Sequence, residues 1–144
     1  METKEIKIVQ VFNTAINEGD IDTLSSLMTD DHTFISSDGN VVSGAQKMMD
    51  GWREFLVMFP DYKNTFDHIL QDGNMVVAIG TASGTYNGNR GLVPENRIEM
   101  PAAWKAIVEN DRIAEWQVFA DWTNGWEVIE EDKKTDIFAP GYCT

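Results

Sequence analysis

Cysteine, positive charge and long apolar runs are scarce in this sequence, and each scarcity excludes a class of protein. Cys143 is the only cysteine of the 144 residues, so a secreted fold held by internal disulfides is excluded. Lysine and arginine number 11 against 24 aspartates and glutamates, which gives a formal net charge of -13. That negative field repels nucleic acids and anionic membranes, so we expect neither as a partner.

The segment METKEIKIVQVF is charged from residue 2 onward, unlike a secretory signal peptide, and no apolar stretch is long enough to span a membrane. We therefore expect a cytoplasmic protein. A hydrophobic fraction of 42% over 144 residues is typical of one globular domain. We assign residues 1–144 to that domain, with its core at about 4–126 and a charged C-terminal tail at 127–144.

The first 60 residues show helical periodicity, with apolar residues spaced by three and four positions. This spacing predicts helices over 4–18, 20–28 and 44–59, with short strands at 30–36 and 41–43 between the second and third helices. Gly19 is placed to end the first helix, and Pro60 to end the third.

From residue 61 onward the apolar pattern alternates with period two. Strands are predicted over 62–70, 75–86, 98–109 and 113–122. Glycines within 75–86 indicate a bend or bulge. Helices followed by consecutive antiparallel strands predict an α+β fold, in which a curved antiparallel sheet wraps three N-terminal helices. Such a sheet leaves a cone whose open end is a pocket.

The last predicted strand, within AEWQVFADWTNGW, carries apolar residues on both faces. Simple alternation groups Trp116 with Trp122 on one face and Phe119 with Asp121 on the other. A bulge between 116 and 121 would reverse this order and turn Asp121 into the cone. The sequence leaves both possibilities open. Two apolar faces also suit a homodimer formed through the outer face of the sheet.

Four segments in this order resemble one family: VFNTAINEGDIDTLSSLMTDDHTF, GWREFLVMFPD, GNMVVAIGTASGTY and DRIAEWQVFADW. Together they resemble the SnoaL-like branch of the NTF2-like superfamily over about residues 5–126. That branch includes polyketide cyclases and is similar in fold to ketosteroid isomerase. The resemblance implies a cone-shaped α+β fold of the cystatin-like type, frequent dimerisation through the outer sheet face, and a pocket at the mouth of the cone.

In the polyketide cyclases of this family, an aspartate near the end of the last long strand is the general acid/base of an aldol-type ring closure. Asp121 in VFADW falls at that place. The resemblance also implies that His32 in DDHTF lines the pocket. The cyclases carry a polar side chain on the penultimate strand, where this chain has Met100, Ala102 and Trp104.

Proton transfer by Asp121 requires a pKa raised by desolvation. The alternative is an aspartate at a strand end that caps the turn TNG. His32 could polarise a carbonyl or carry a proton near neutral pH, or it could simply be hydrogen-bonded near the start of a strand. His68 fits a surface or interface position better than a catalytic one.

Six large side chains could together wall an apolar pocket for a flat aromatic ligand, although each alone fits an ordinary core better. They are Trp52, Phe55, Phe59, Tyr86, Met100 and Trp104. Two histidines without suitably spaced partners predict no metal site. No glycine-rich phosphate loop opens a helix, so we expect no cofactor.

These observations favour a cofactor-independent cyclase or isomerase in which Asp121 is the acid/base and His32 its assistant. The missing polar side chain on the penultimate strand favours a second hypothesis, a non-catalytic binder of an apolar small molecule. A third is a dimeric scaffold whose cone is filled by side chains. Finding no cavity beneath Trp104 would favour the scaffold.

Overall fold

The computed structural model describes residues 2–135, which fold into one curved six-stranded sheet and four helices. The helices are α1 (Lys4–Glu18), α2 (Ile21–Ser26), α3 (Ala45–Met58) and α4 (Thr123–Lys133), with a 3-10 turn at Pro94–Asn96. The strands are β1 (Met28–Ile35), β2 (Val41–Ser43), β3 (Lys63–Asp72), β4 (Met75–Thr85), β5 (Arg97–Glu109) and β6 (Arg112–Ala120). The predicted α+β class is confirmed.

Local sequence signals set both ends of α1. The side chain of Thr3 accepts a hydrogen bond from the Ile6 amide at the first turn. Gly19 ends the helix with φ +68°, a left-handed conformation that costs glycine little. Phe12 and Ile16, on the face that points to the sheet, are fully buried.

The sheet has the strand order β2-β1-β6-β5-β4-β3. Strands β3 to β6 pair antiparallel in sequence, which confirms the predicted meander. The prediction of a wholly antiparallel sheet is wrong at one place, because β1 pairs parallel with β6 and Phe34 lies opposite Trp116. This contact joins segments about 80 residues apart, so neither strand's own periodicity indicates it.

Two bulges bend the antiparallel part of the sheet. One extra residue, Asp67, separates the pairs Phe66–Gly80 and His68–Ile79, so the bulge predicted for the glycine-containing β4 lies in its partner β3, opposite Gly80. A second bulge, at Ala114 in β6, falls between the pairs of β5 with Ile113 and Glu115.

The inner face of β5 forms the middle of the core. Its residues Ile98, Met100, Ala102, Trp104, Ala106 and Val108 are all buried, as alternation predicts. The α1 and α4 helices contact β5, whereas α3 packs against β1 and β2. The second helix is shorter than predicted, because Met28 already belongs to β1.

The predicted position of the C-terminal tail is wrong for its first part. Residues 123–133 form α4, which packs on β5 and buries Ile129 and Asp132. Apart from Asp132, the charged residues of this helix are exposed, and they outnumber the few residues on its buried side. The remaining tail prediction, with Cys143, lies outside the described residues. None of the helices within 2–135 is long and apolar enough to cross a membrane.

Candidate functional site

The phase of β6 decides where Asp121 lies. Its pairing with β5 runs without interruption from Trp116, opposite Ala106, to Ala120, opposite Ala102. The bulge at Ala114 comes before this stretch, so the strand does not change phase between Trp116 and its end. Asp121 therefore follows Phe119 on the outer side of the sheet.

Asp121 is exposed and caps a turn. Its carboxylate accepts a hydrogen bond from the Thr123 amide at 3.0 Å, just ahead of α4. Hydrogen bonds from the side chain and backbone of Thr123 lower the pKa of Asp121. The expectation of a raised pKa is therefore wrong, and the turn-capping alternative is confirmed. The spacing Asp-x-Thr ahead of a helix was the signal for it.

His32 lies inside the cone with no exposed surface. Its position on β1 brings the ring beside the start of β6, where Nδ1 lies 2.7 Å from the carbonyl oxygen of Ile113. Because a carbonyl oxygen only accepts, Nδ1 carries the proton of the neutral ring, and Nε2 carries a lone pair. Nε2 has no hydrogen-bond partner among residues 2–135.

The surroundings of His32 are apolar. The Phe12 ring lies 6.2 Å away between centroids, and Phe12 in turn stacks on Trp116 at 4.8 Å. Burial lowers the pKa of His32, although the Ile113 carbonyl and the charges of Asp31 and Glu115 act in the opposite direction. The imidazole is therefore neutral near pH 7, with one nitrogen anchored and the other available.

Four of the six predicted wall residues form a continuous line of rings along α3. Centroids are 6.0 Å apart for Trp52 and Phe55, 5.1 Å for Phe55 and Phe59, and 5.6 Å for Phe59 and Tyr86. The other two, Met100 and Trp104, belong to the inner face of β5.

Sequence reasoning missed both ends of this line. Phe34 on β1 extends it at 6.2 Å from Trp52, two residues from His32. Trp122 extends it at the other end, 6.0 Å from Phe59, and Trp126 of α4 follows at 5.8 Å. The aromatic line thus leads from α4 to the strand that carries His32. Alternation could have placed Trp122 inside, since it shares a phase with Trp116.

Three indole groups in the core have no hydrogen-bond partner among the described residues. They are the Nε1–H groups of Trp52, Trp104 and Trp116. A buried donor without a partner costs about 1–3 kcal/mol, so three in one core is unusual. All three residues lie on the inner side of the sheet or on α3, where a ligand with acceptor oxygens would meet them.

Two surface depressions formed by the described residues lie away from these side chains. A groove of about 370 Å³ runs between the α1–α2 turn and α3, lined by residues that include Ile16, Arg53 and Tyr62. A smaller one of about 220 Å³ lies near the β5–β6 turn. Neither is lined by His32, Asp121 or Trp104.

A buried polar cluster that the sequence did not suggest lies at the other end of α4. The Asp132 carboxylate accepts hydrogen bonds from the amides of Asn89 and Arg90 at 2.7 and 2.8 Å, and from Asn96 Nδ2 at 2.9 Å. Burial alone would raise the pKa of Asp132, but these hydrogen bonds outweigh it, and the pKa is lowered. The cluster fastens α4 to the loop before β5.

His68 lies on the outer face, as expected, opposite Ile79 of β4. In the same row across the sheet lie Ala103 and Phe119. Phe119 and Ile79 are 51% and 42% exposed, large fractions for apolar side chains on a sheet face.

A family model of the SnoaL-like domain matches residues 9–116 of this chain. The chain belongs to the SnoaL-like family. The match covers every element from α1 to the middle of β6, including His32, and ends before Asp121 and α4. No curated protein matches the chain.

Solved structures of other proteins share the fold of this chain. IdmH from Streptomyces antibioticus, a proposed polyketide cyclase, is 22% identical with a TM-score of 0.74, over 89% of this chain and 99% of its own. An LEH-like epoxide hydrolase from M. tuberculosis is 17% identical, with a TM-score of 0.74 and coverages of 91% and 92%. A protein with a ketosteroid isomerase-like fold from Catenulispora acidiphila, in complex with trimethylamine, is 16% identical, with a TM-score of 0.73 and coverages of 92% and 97%.

Proposed function

We propose that this SnoaL-like protein is a cofactor-independent enzyme of the cyclase or isomerase type, and that His32 is its general base. One observation carries the proposal: a fully buried histidine with Nδ1 anchored to the Ile113 carbonyl and Nε2 unpartnered among the described residues. A side chain that served packing alone would gain nothing from a polar ring placed beside Phe12.

The chemistry follows from the tautomer. Nε2 takes a proton from a carbon next to a carbonyl, which leaves an enolate and an imidazolium. The Ile113 carbonyl, already bonded to Nδ1–H, stabilises the positive ring. The imidazolium then returns the proton, either to another carbon in an isomerisation or to the new alkoxide after an aldol-type ring closure. A positioned general base contributes about 10²–10⁴-fold to such a step.

The substrate that suits this interior is an apolar or aromatic molecule with a carbonyl group. The ring line from Trp52 to Tyr86 offers flat apolar contact, and the unpartnered indole N–H groups offer donors to oxygen. Relatives named as a polyketide cyclase and an epoxide hydrolase act within the same fold, which supports small-molecule chemistry in the cone.

Asp121 has no part in the proposed reaction. Its carboxylate is exposed, follows the outer phase of β6 and is held by Thr123. The site therefore departs from the cyclase pattern, in which the aspartate near the end of this strand is the acid/base. The proposed assignment gives that role to His32 on β1 instead of Asp121 after β6.

The test uses 1-tetralone, a bicyclic aromatic ketone, and follows deuterium uptake at its α-carbon in D2O by proton NMR. The wild-type protein should accelerate the exchange. His32→Asn keeps an amide donor near Ile113 but lacks Nε2, so it should lose the acceleration. Asp121→Asn is the matched control and should keep it. Acceleration that survives in His32→Asn and disappears in Asp121→Asn would refute the assignment.

A second candidate function, the scaffold or binding domain without catalysis, is favoured by the close packing around Trp104. Trp104 is 1% exposed and packs 5.1 Å from Phe66 between ring centroids. If 1-tetralone neither exchanges faster nor raises the melting temperature of the wild-type protein, this second function is the better one.

We also propose that the chain forms a homodimer through the outer sheet face. Phe119, Ile79 and Leu70 expose apolar side chains on this face, and such surface is usually covered by a partner. An ion pair of 2.8 Å between Lys105 and Glu115 lies on the same face. A cytoplasmic location and the lack of nucleic-acid partners stay predictions from charge and composition.

A further inference from the structure

The α4 helix covers one end of the cone. A methyl group placed on Gly125 would lie 3.4 Å from Cγ2 of Ile98, which belongs to the inner face of β5. Trp122, just before the helix, contacts Phe59, and Ile129 of its second half is buried. The helix thus lies across the end at which the aromatic line begins.

Few of its own residues hold α4 in place. Only Gly125, Ile129 and Asp132 of its 11 residues are buried. Helices of this length are marginally stable alone, so α4 depends on its attachments. The strongest attachment is Asp132, which is 1% exposed and accepts from the amides of Asn89 and Arg90 and from Asn96.

Gly88 lets the loop come close enough for this attachment. A methyl group at this position would lie 2.1 Å from Asp132 Oδ2 and 2.4 Å from Cε2 of Tyr86. A side chain at residue 88 would therefore push the loop away from Asp132. The same substitution would move Tyr86, the last ring of the predicted wall.

We propose that α4 is a gate to the cone interior and that Asp132 is its clasp. Opening would release Trp122 from Phe59 and uncover the line of rings that leads toward Phe34 and β1. The inference rests on the proposed function in one respect, namely that the molecule admitted is apolar and reacts inside. It explains how a ligand could reach core side chains that are almost fully buried, through local opening of α4.

The experiment compares Asp132→Asn with the wild-type protein by hydrogen–deuterium exchange and by uptake of Nile red, a neutral apolar dye. In Asp132→Asn an NH2 group replaces one carboxylate oxygen, so it faces either the Asn89 amide or the Arg90 amide together with Asn96 Nδ2. A donor then meets a donor at that position, and the clasp weakens. Exchange should become at least about tenfold faster in residues 87–96 and 123–133, while β4 to β6 stay protected. Nile red uptake should become faster by a similar factor.

Two further variants keep the result interpretable. Glu131→Gln removes a carboxylate from the same helix. Within residues 2–135 this carboxylate pairs only with Lys134 on the surface, so exchange and uptake should match the wild-type protein. Gly88→Ala opens the clasp by steric overlap with Asp132 and leaves the carboxylate charge unchanged. It should show the same faster exchange and dye uptake as Asp132→Asn. It also decides the matter if Asp132→Asn does not fold.

Uniformly faster exchange over the whole chain would overturn the gate, because the clasp would then hold only the fold. Faster exchange in α4 without faster dye uptake would overturn it as well, as would no uptake in any variant. The proposed function fails separately. If Asp132→Asn takes up dye faster while His32→Asn still accelerates exchange of 1-tetralone, the gate stands and the base assignment falls.

Discussion

Gly80 is the position at which one added methyl group should damage the fold severely. It is buried in β4 opposite the bulge at Asp67 of β3. A methyl group built there would lie 1.8 Å from the carbonyl oxygen of Thr65 and 2.8 Å from its carbonyl carbon. Both atoms belong to the backbone, so no change of rotamer relieves the overlap, and β3 itself must move away from β4.

The magnitude follows from this distance. Side-chain carbons essentially never approach other heavy atoms within 3.0 Å, so β3 must retreat by roughly 1 Å along this contact. Such a shift disturbs the pairing on both sides of the bulge. We expect Gly80→Ala to lower the free energy of unfolding by about 3 kcal/mol, the upper part of the usual range for overpacking. For a domain of this size the melting temperature should fall by roughly 6–12 °C.

Urea unfolding followed by tryptophan fluorescence measures this difference, and Gly84→Ala is the matched control. Gly84 is buried in the same strand, but its nearest contact would be Cδ1 of Phe59 at 3.4 Å. Its free energy of unfolding should change by less than about 1 kcal/mol. If both variants unfold at the same urea concentration, the close approach of Thr65 to Gly80 does not exist and the reasoning fails.

Three further predictions concern the site and the surface. Because burial lowers the pKa of His32, the unfolded chain binds a proton at this residue more readily than the folded chain does. The contribution of the neutral His32 to stability is therefore full above about pH 6.5 and is lost as the pH falls below that value. Between about pH 7.5 and 5.5 the free energy of unfolding, measured in urea, should fall less in His32→Asn than in the wild-type protein. Phe119→Asp should turn the proposed dimer into a monomer in sedimentation, whereas Val11→Asp, which alters an equally exposed apolar residue on α1, should leave the proposed dimer intact. In Asp121→Asn, acceleration of 1-tetralone exchange should keep the same pH profile as in the wild-type protein, and a shifted profile would bring the carboxylate back into the site.

Periodicity predicted most of the fold, because an element that buries one face carries apolar residues at regular intervals in its sequence. The α1 helix was predictable to the residue, since its apolar spacing and Gly19 give independent signals of its extent. The bend in the sheet was predictable from glycines in β4, and Gly80 now shows why a side chain is excluded there. The inner face of β5 followed from strict alternation.

Long-range contacts could not be predicted in the same way. The parallel pairing of β1 with β6 depends on which sheet edge is free once the other strands have paired. The sequence of either strand alone does not indicate this. The α4 helix was misassigned because its charges dominate the composition, while its anchor is a buried aspartate. A carboxylate buried at Asp132 becomes stable only through donors from residues 89–96, and these donors are mostly backbone amides that any sequence carries.

Desolvation explains why the two predicted catalytic residues, Asp121 and His32, differ in their suitability as a base. Burial would raise the pKa of an aspartate and lower that of a histidine, and either change can leave a base suited to neutral pH. Asp121 gains none of this effect, because the uninterrupted pairing of β6 after Ala114 leaves it on the outer face. Burial is the largest influence on His32 and lowers its pKa, and the hydrogen bond to the Ile113 carbonyl leaves the lone pair on Nε2. The three tryptophans in AEWQVFADWTNGW do not enclose Asp121. Trp116 instead packs on Phe12, whose ring lies beside the buried imidazole of His32.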